Sequence, residues 1–275
     1  MTLSDITPVP APWKLKGDVY VFSFWVPKKQ AEHPPTITYS PLEANSAFIR
    51  PEGSRPLGGI SMIQIIRYTE SPVGPYYGLI LSPGFHEYTV EENGKRIKKK
   101  NARITRIYVS QKYTCWNGRK TTFAWETNSD GSTAVKVFPH DTSGDLMESA
   151  ASTTPFFQAT FKSVPYVPSF PLSLDVLKYV GLDATLVQPP LPEGSGSQDE
   201  LLGTDRWCSI APGQSSKKTS LGWFDIRQAD EKGHIIGEHE NFWPGLGRWQ
   251  IGLKMEDSIV SFPKPKHWDA PKSVL

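Results

Sequence analysis

The side chains of this sequence best suited to chemistry are cations set among aromatic residues. Arg106 and Tyr108 stand two apart in Thr105-Arg106-Ile107-Tyr108-Val109, so on a strand both project from one face. Arg67 belongs to a second such run, Gly58 to Tyr68, and Arg248 and Lys254 share a face of a third, Arg248 to Met255. Where aromatic rings exclude water a buried arginine must be paired, and a carboxylate is a partner its fork fits. Arg67, Arg106, Tyr108 and Arg248 are therefore candidates to bind a hydrophobic acid, and equally candidates for plain structural ion pairs.

Other chemistries lack their residues. The histidines (His33, His86, His140, His234, His239, His267) are scattered, none in a His-x-x-x-His or beside a cysteine pair, so no metal site is expected. His234 and His239 lie in a polar, Gly-rich stretch and read as loop residues. Gly213-Gln214-Ser215-Ser216-Lys217-Lys218-Thr219 lacks the glycine a phosphate loop needs before its lysine, and reads as a turn between strands. There is no Gly-x-Ser-x-Gly elbow and no Gly-x-Gly-x-x-Gly after a strand, so neither a serine nucleophile nor a dinucleotide cofactor is indicated. No cofactor of any kind is expected.

The elements that must position these residues are short strands. With 25 Pro and 22 Gly in 275 residues, long helices have little room. Val19 to Val26 is aromatic or β-branched at all but one position, which is a strand covered on both faces. In Gly58 to Tyr68 the period of two points Met62, Gln64, Ile66 and Tyr68 one way and Ile63, Ile65 and Arg67 the other. Ser71-Pro72-Val73-Gly74-Pro75 is a forced turn, after which Tyr76 to Leu81 resumes extended structure. Gly84 to Tyr88 and Ala102 to Ser110 read as a hairpin, with Asn93-Gly94 as turn signal and the basic run Lys95 to Lys100 as solvated loop. Further strands fall at Thr121 to Trp125, Ser132 to Phe138, Phe156 to Lys162, Trp207 to Ile210 and Leu221 to Arg227. Ser40-Pro41-Leu42-Glu43 can start a short helix, and Leu172 to Val180, with Gly181 at its end, is the one convincing longer helix. The fold class is β-rich α+β: an antiparallel, cone-shaped β-barrel with a few short helices, in one domain over 1–275. Residues 1–12 form a Pro-rich N-terminal arm and residues 188–198 a surface loop.

A net charge of +2, from 30 basic and 28 acidic residues, leaves no cationic face for nucleic acid. Two cysteines do not make a disulfide framework, no Asn-x-Ser/Thr sequon occurs, and no apolar run approaches a membrane span, so a cytoplasmic protein without membrane partners is expected. The partner indicated is a small molecule.

Tyr68-Thr69-Glu70-Ser71-Pro72-Val73-Gly74-Pro75-Tyr76 resembles the Gly-Pro-Tyr turn of acetoacetate decarboxylases, and Thr105 to Val109 followed by Gly118-Arg119 resembles their next strand and Gly-Arg turn. With Trp13-Lys14-Leu15-Lys16-Gly17, Asp205-Arg206-Trp207-Cys208 and Asn241 to Trp249, nearly the whole chain resembles a fungal branch of the acetoacetate-decarboxylase-like superfamily. The resemblance implies a barrel with a buried lysine whose lowered pKa lets it form a Schiff base with a β-keto acid for loss of CO₂. It also implies a homo-oligomer, a role in small-molecule or secondary metabolism on a polyketide-like substrate, and substrate contacts at Tyr76 and Arg119. The sequence departs from that pattern at the reactive residue. Gly118-Arg119-Lys120-Thr121 carries no Pro-Lys, as though about seven residues were missing after Lys120, a gap that the resemblance implies from the family's spacing set against ordinary turn lengths. Gly78 stands where the family carries an acid, and the family's N-terminal arginine has no match. Lys120 is the one lysine near the vacated position: either a replacement amine or an inert turn lysine. The corresponding functions are a carbon–carbon lyase of the decarboxylase type, or a non-catalytic barrel that binds an apolar molecule.

Overall fold

The computed structural model describes residues 7–35, 38–49, 54–92, 94–138, 155–179, 181, 183–194, 202–228, 243 and 246–269. Alternating apolar side chains there build sixteen strands in one connected sheet. In chain order they are β1 Trp13–Val26, β2 Arg55–Glu70, β3 Tyr76–Ser82, β4 Phe85–Glu92, β5 Lys95–Arg103, β6 Arg106–Val109, β7 Arg119–Lys120 and β8 Thr122–Thr127. There follow β9 Thr133–Phe138, β10 Phe157–Ser163, β11 Phe170–Ser173, β12 Leu186–Gln188, β13 Trp207–Ile210, β14 Gly213–Asp225, β15 Trp249–Phe262 and β16 Lys266–Trp268. Three short helices accompany them: α1 Lys28–Glu32, α2 Pro41–Ala44 and α3 Val176–Tyr179.

The main ladder runs β16-β13-β12-β5-β4-β2-β1-β15-β14-β10-β9-β8, with β3 and β6 branching from β2. Pairing is antiparallel except at β5–β12 and β6–β7. No hydrogen-bonded ladder closes the sheet among the described residues, so a closed barrel is not what the pairing alone displays. Its two ends meet instead through the chain itself. β7 pairs with β6, β8 pairs with β9, and Thr121 between them donates its N–H to Val109 O and its hydroxyl to Phe138 O.

The period of two sorts β2 as expected. Ile63 and Ile65 enter one core with Tyr20, Phe22, Leu79, Leu81, Phe161 and Phe224. Ile66 and Tyr68 enter another, with Trp13, Leu15, Tyr76, Ile80 and Val260, under β12 and β13. Other expectations need correction. Lys95 to Lys100 is not a loop but strand β5, since β4 supplies its hydrogen-bond partners and only the side chains are solvated. The turn before it comes at Gly94, with φ +72°; Asn93 lies outside the described residues. Gly213 to Thr219 is not a turn but the first half of β14, paired with β15. The helix over 172–180 shrinks to the single turn α3, because Phe170 to Ser173 pairs with β14 and Tyr179 is exposed. The segment from 188 is not wholly a surface loop: Pro189, Pro190 and Leu191 are buried, and 195–198 lie outside the described residues. Ser40 starts α2 with Pro41 at its first position, without a side-chain cap bond. No described helix is long and apolar enough to cross a membrane.

Candidate functional site

Tyr68 lies near the end of β2 and Tyr76 begins β3, and the Ser71 to Pro75 turn between the strands sets the two directly opposite. The turn is held by Gly74 N–H donating to Ser71 O at 3.1 Å. The phenol ring centroids lie 4.6 Å apart, so the two side chains face one another. Burial raises both pKa values, so both phenols stay neutral.

This pair forms part of the wall of a cavity of about 980 Å³ between the β2–β3–β6 face and the β12–β13 layer. That volume suits a drug-sized molecule. Trp13 closes one side and donates its indole N–H to Val9 O and Pro10 O, each at 3.1 Å, which draws the N-terminal arm over the opening. On the far side Leu191 N–H donates to Thr204 Oγ1 and Thr204 N–H to Leu191 O, both at 2.8 Å, fixing the buried start of the 188 segment. Cys208 also lines the cavity, its thiol pushed up to about 11 by burial. Gly78 lies in the wall, where an added Cβ would meet only Tyr108 O, at 3.8 Å.

Of the residues singled out from sequence, Tyr76 and Tyr108 line this cavity and the others do not. Arg106 shares the face of Tyr108 as expected. It is 4% exposed, its Nε donates to Tyr108 Oη at 2.8 Å, and its guanidinium lies 5.3 Å from the Phe156 ring. This places it in the other core. Arg119 is buried and bonded to Glu43 of α2 and to the carbonyls of Leu202 and Pro192. Those are structural ties between β7 and the segments around it, and a buried pair of this kind contributes chiefly by not being broken. Arg248 is exposed and grips Asp225, with Nη2 at 2.7 Å from Oδ2. Arg67 is exposed. Lys120 is half-buried in β7, one residue from the joint at Thr121 and close in sequence to Asn117, which lines the cavity.

Sequence reasoning placed Lys254 on a face with Arg248 but passed over the partners of that lysine. It lies opposite Tyr20 on the first core's face, 5.6 Å above that ring and 3.3 Å from Glu256. Burial pulls its pKa down, but Tyr20, Glu256 and Asp18 together outweigh this and raise it, so its amine stays protonated. It also passed over the opposition of Tyr68 and Tyr76, although a forced turn between two alternating runs carried that signal. No group of three His, Cys, Asp or Glu placed to hold a metal ion occurs among the described residues; His140, His234 and His239 lie outside them.

No protein-family model matches the chain, and no curated protein matches it in sequence. Solved structures do match in fold. An acetoacetate decarboxylase from Legionella pneumophila aligns at 10% identity over 94% of this chain and 88% of its own, with TM-score 0.52. A further acetoacetate decarboxylase aligns at 9% identity over 95% and 91%, TM-score 0.53. An acetoacetate-decarboxylase-like enzyme from Sphingomonas wittichii aligns at 7% identity over 98% of both chains, TM-score 0.53. The fold is thus acetoacetate-decarboxylase-like.

Proposed function

We propose that this chain is an acetoacetate-decarboxylase-like protein of small-molecule metabolism that binds a β-keto or polyketide-like carbonyl compound in the 980 Å³ cavity behind Tyr68 and Tyr76. The observation that carries this is the cavity itself: set between two layers of the sheet, walled mainly by apolar side chains, and with no buried lysine among the described residues that line it. Binding rather than amine chemistry is the reading these features support. The sheet is taken as a cone-shaped barrel, supported by Thr121 joining its two ends. The long motifs quoted from the sequence support placement in a fungal branch, a cytoplasmic setting and secondary metabolism complete the proposal, and small molecules rather than nucleic acid or membranes are the partners. Self-association is supported by an apolar outer face: Trp25 opposite Ile60, and Trp223 opposite Ile251, all exposed.

A second reading, decarboxylation, is favoured by the likeness in fold to decarboxylases and by Lys120 following the cavity-lining Asn117 closely in sequence. In it an unprotonated lysine amine adds to the substrate ketone and water leaves. The resulting iminium takes up the electron pair of the breaking C–C bond as CO₂ departs, leaving an enamine; a proton from solvent adds to its carbon to give back an iminium, and hydrolysis frees the ketone and the lysine.

One experiment separates the two. The protein is incubated with acetoacetate and borohydride and its mass is measured. An unchanged mass, with no CO₂ released, is expected. A reduced adduct mapping to Lys120 or Lys254, and abolished by Lys120→Ala or Lys254→Ala, would overturn the binding reading in favour of catalysis.

A further inference from the structure

The cavity wall separates its charges from its interior. Among the described residues, every acidic, lysine, arginine or histidine side chain that lines it is exposed: Glu193, Asp205, Arg206, Lys264 and His267. Arg206 is already engaged with Asp269 at 3.1 Å. The buried polar groups of the wall include the two phenols, and the half-buried Cys208 thiol lies with them. All three hold their protons, because burial disfavours each anion. An ion brought inside would shed its hydration without meeting an opposite charge, which is costly, whereas a neutral acceptor loses little if a hydroxyl donates to it. Two phenols facing each other can satisfy one another with one hydroxyl proton and leave the second to donate elsewhere. Beside them Gly78 presents no side chain, and with only Tyr108 O near its Cβ direction it leaves depth that a larger residue would fill.

From this juxtaposition we propose that the cavity takes an uncharged carbonyl compound whose oxygen accepts a hydrogen bond from the Tyr68–Tyr76 pair, with Gly78 setting the depth available to its apolar body. The inference rests on the reading of the cavity as the ligand site and narrows it: a carboxylate, where the ligand has one, stays at the mouth.

Three probes of one shape test it at pH 8 by titration calorimetry: 2-acetylnaphthalene, naphthalene and 2-naphthoate. The neutral ketone is expected to bind best, naphthalene several-fold weaker for want of the acceptor, and the carboxylate at least about tenfold weaker. Tyr76→Phe should bring the ketone's affinity down to that of naphthalene while leaving naphthalene unchanged, with circular dichroism confirming the fold. Gly78→Leu, which the backbone accommodates, should abolish binding of all three. Naphthoate binding as tightly as the ketone, or a ketone affinity untouched by Tyr76→Phe, would overturn the assignment of ligand class and leave the cavity as a ligand site. Failure of all three to bind the unmodified protein would overturn both readings together. Binding that survives Gly78→Leu would place the site elsewhere and sink the proposal.

Discussion

His86 projects from β4 into the interior, and its Nδ1 meets no hydrogen-bond partner among the described residues. Burial, reinforced by the charge of Arg103, pulls its pKa from 6.5 down to about 3. The native state therefore refuses a proton that the unfolded chain accepts. The sign follows: stability is undiminished above pH 6.5 and falls as the pH drops from there toward 3. The slope is at most about 1.4 kcal/mol per pH unit for one such group. Urea midpoints measured at pH 7 and pH 5 should show this loss in the unmodified protein, and His86→Gln should flatten it. Equal slopes in the two proteins would show that His86 is not the titrating group. At this scale the sequence was informative about type and uninformative about surroundings. That Arg106 and Tyr108 share a face followed from their spacing, and the structure joins them. That Arg119 would bond Glu43, 76 residues away, could not follow, because neither residue's local pattern mentions the other.

Elements were legible where local chemistry and tertiary pairing agree. Gly84 illustrates a tertiary demand. Its φ is +90°, and a Cβ there would stand 2.6 Å from the backbone of Gly58, where β2 and β4 cross. Gly94 has φ +72° but nothing within 4 Å of a Cβ. Gly94→Ala should cost only the left-handed strain, about 1 kcal/mol, while Gly84→Ala should cost on the order of 3 kcal/mol by adding the clash. Denaturant unfolding of both variants checks this, and equal losses would mean the crossing is not as close as drawn. Two of the misread elements err in one way. Lys95 to Lys100 and Leu172 to Val180 were read from charge and helical spacing, but a strand neighbour offered each backbone a ladder. Local propensity is a weak prior against such pairing.

At the scale of the molecule, the outer face of β2, β1, β15 and β14 is the surface that most needs covering. Trp25, Ile60, Trp223, Trp249 and Ile251 are exposed on strands that pair side by side. Apolar patches of this extent on a rigid sheet mark association surfaces. The Arg248–Asp225 pair at its edge neutralises itself, so a second copy related by a twofold axis would meet no like-charge repulsion. Light scattering after size exclusion should find a dimer or larger assembly, and Trp25→Ser with Trp223→Ser should lower the mass toward the 30.7 kDa of one chain. A monomer before substitution would refute self-association through this face.

By itself the sequence determined the β-rich class, the period of two along β2 and the forced turn between Tyr68 and Tyr76. Each is a property of neighbours in the chain, where spacing and backbone restriction act directly. Only the tertiary structure decided that Tyr68, Tyr76, Gly78 and Cys208 enclose one neutral cavity, that Arg106 and Lys254 face a different core, and that the sheet's ends meet at Thr121. Those facts depend on which strands pair and in what register. Pairing over tens to hundreds of residues is set by the summed burial of whole faces and leaves no mark on any one segment.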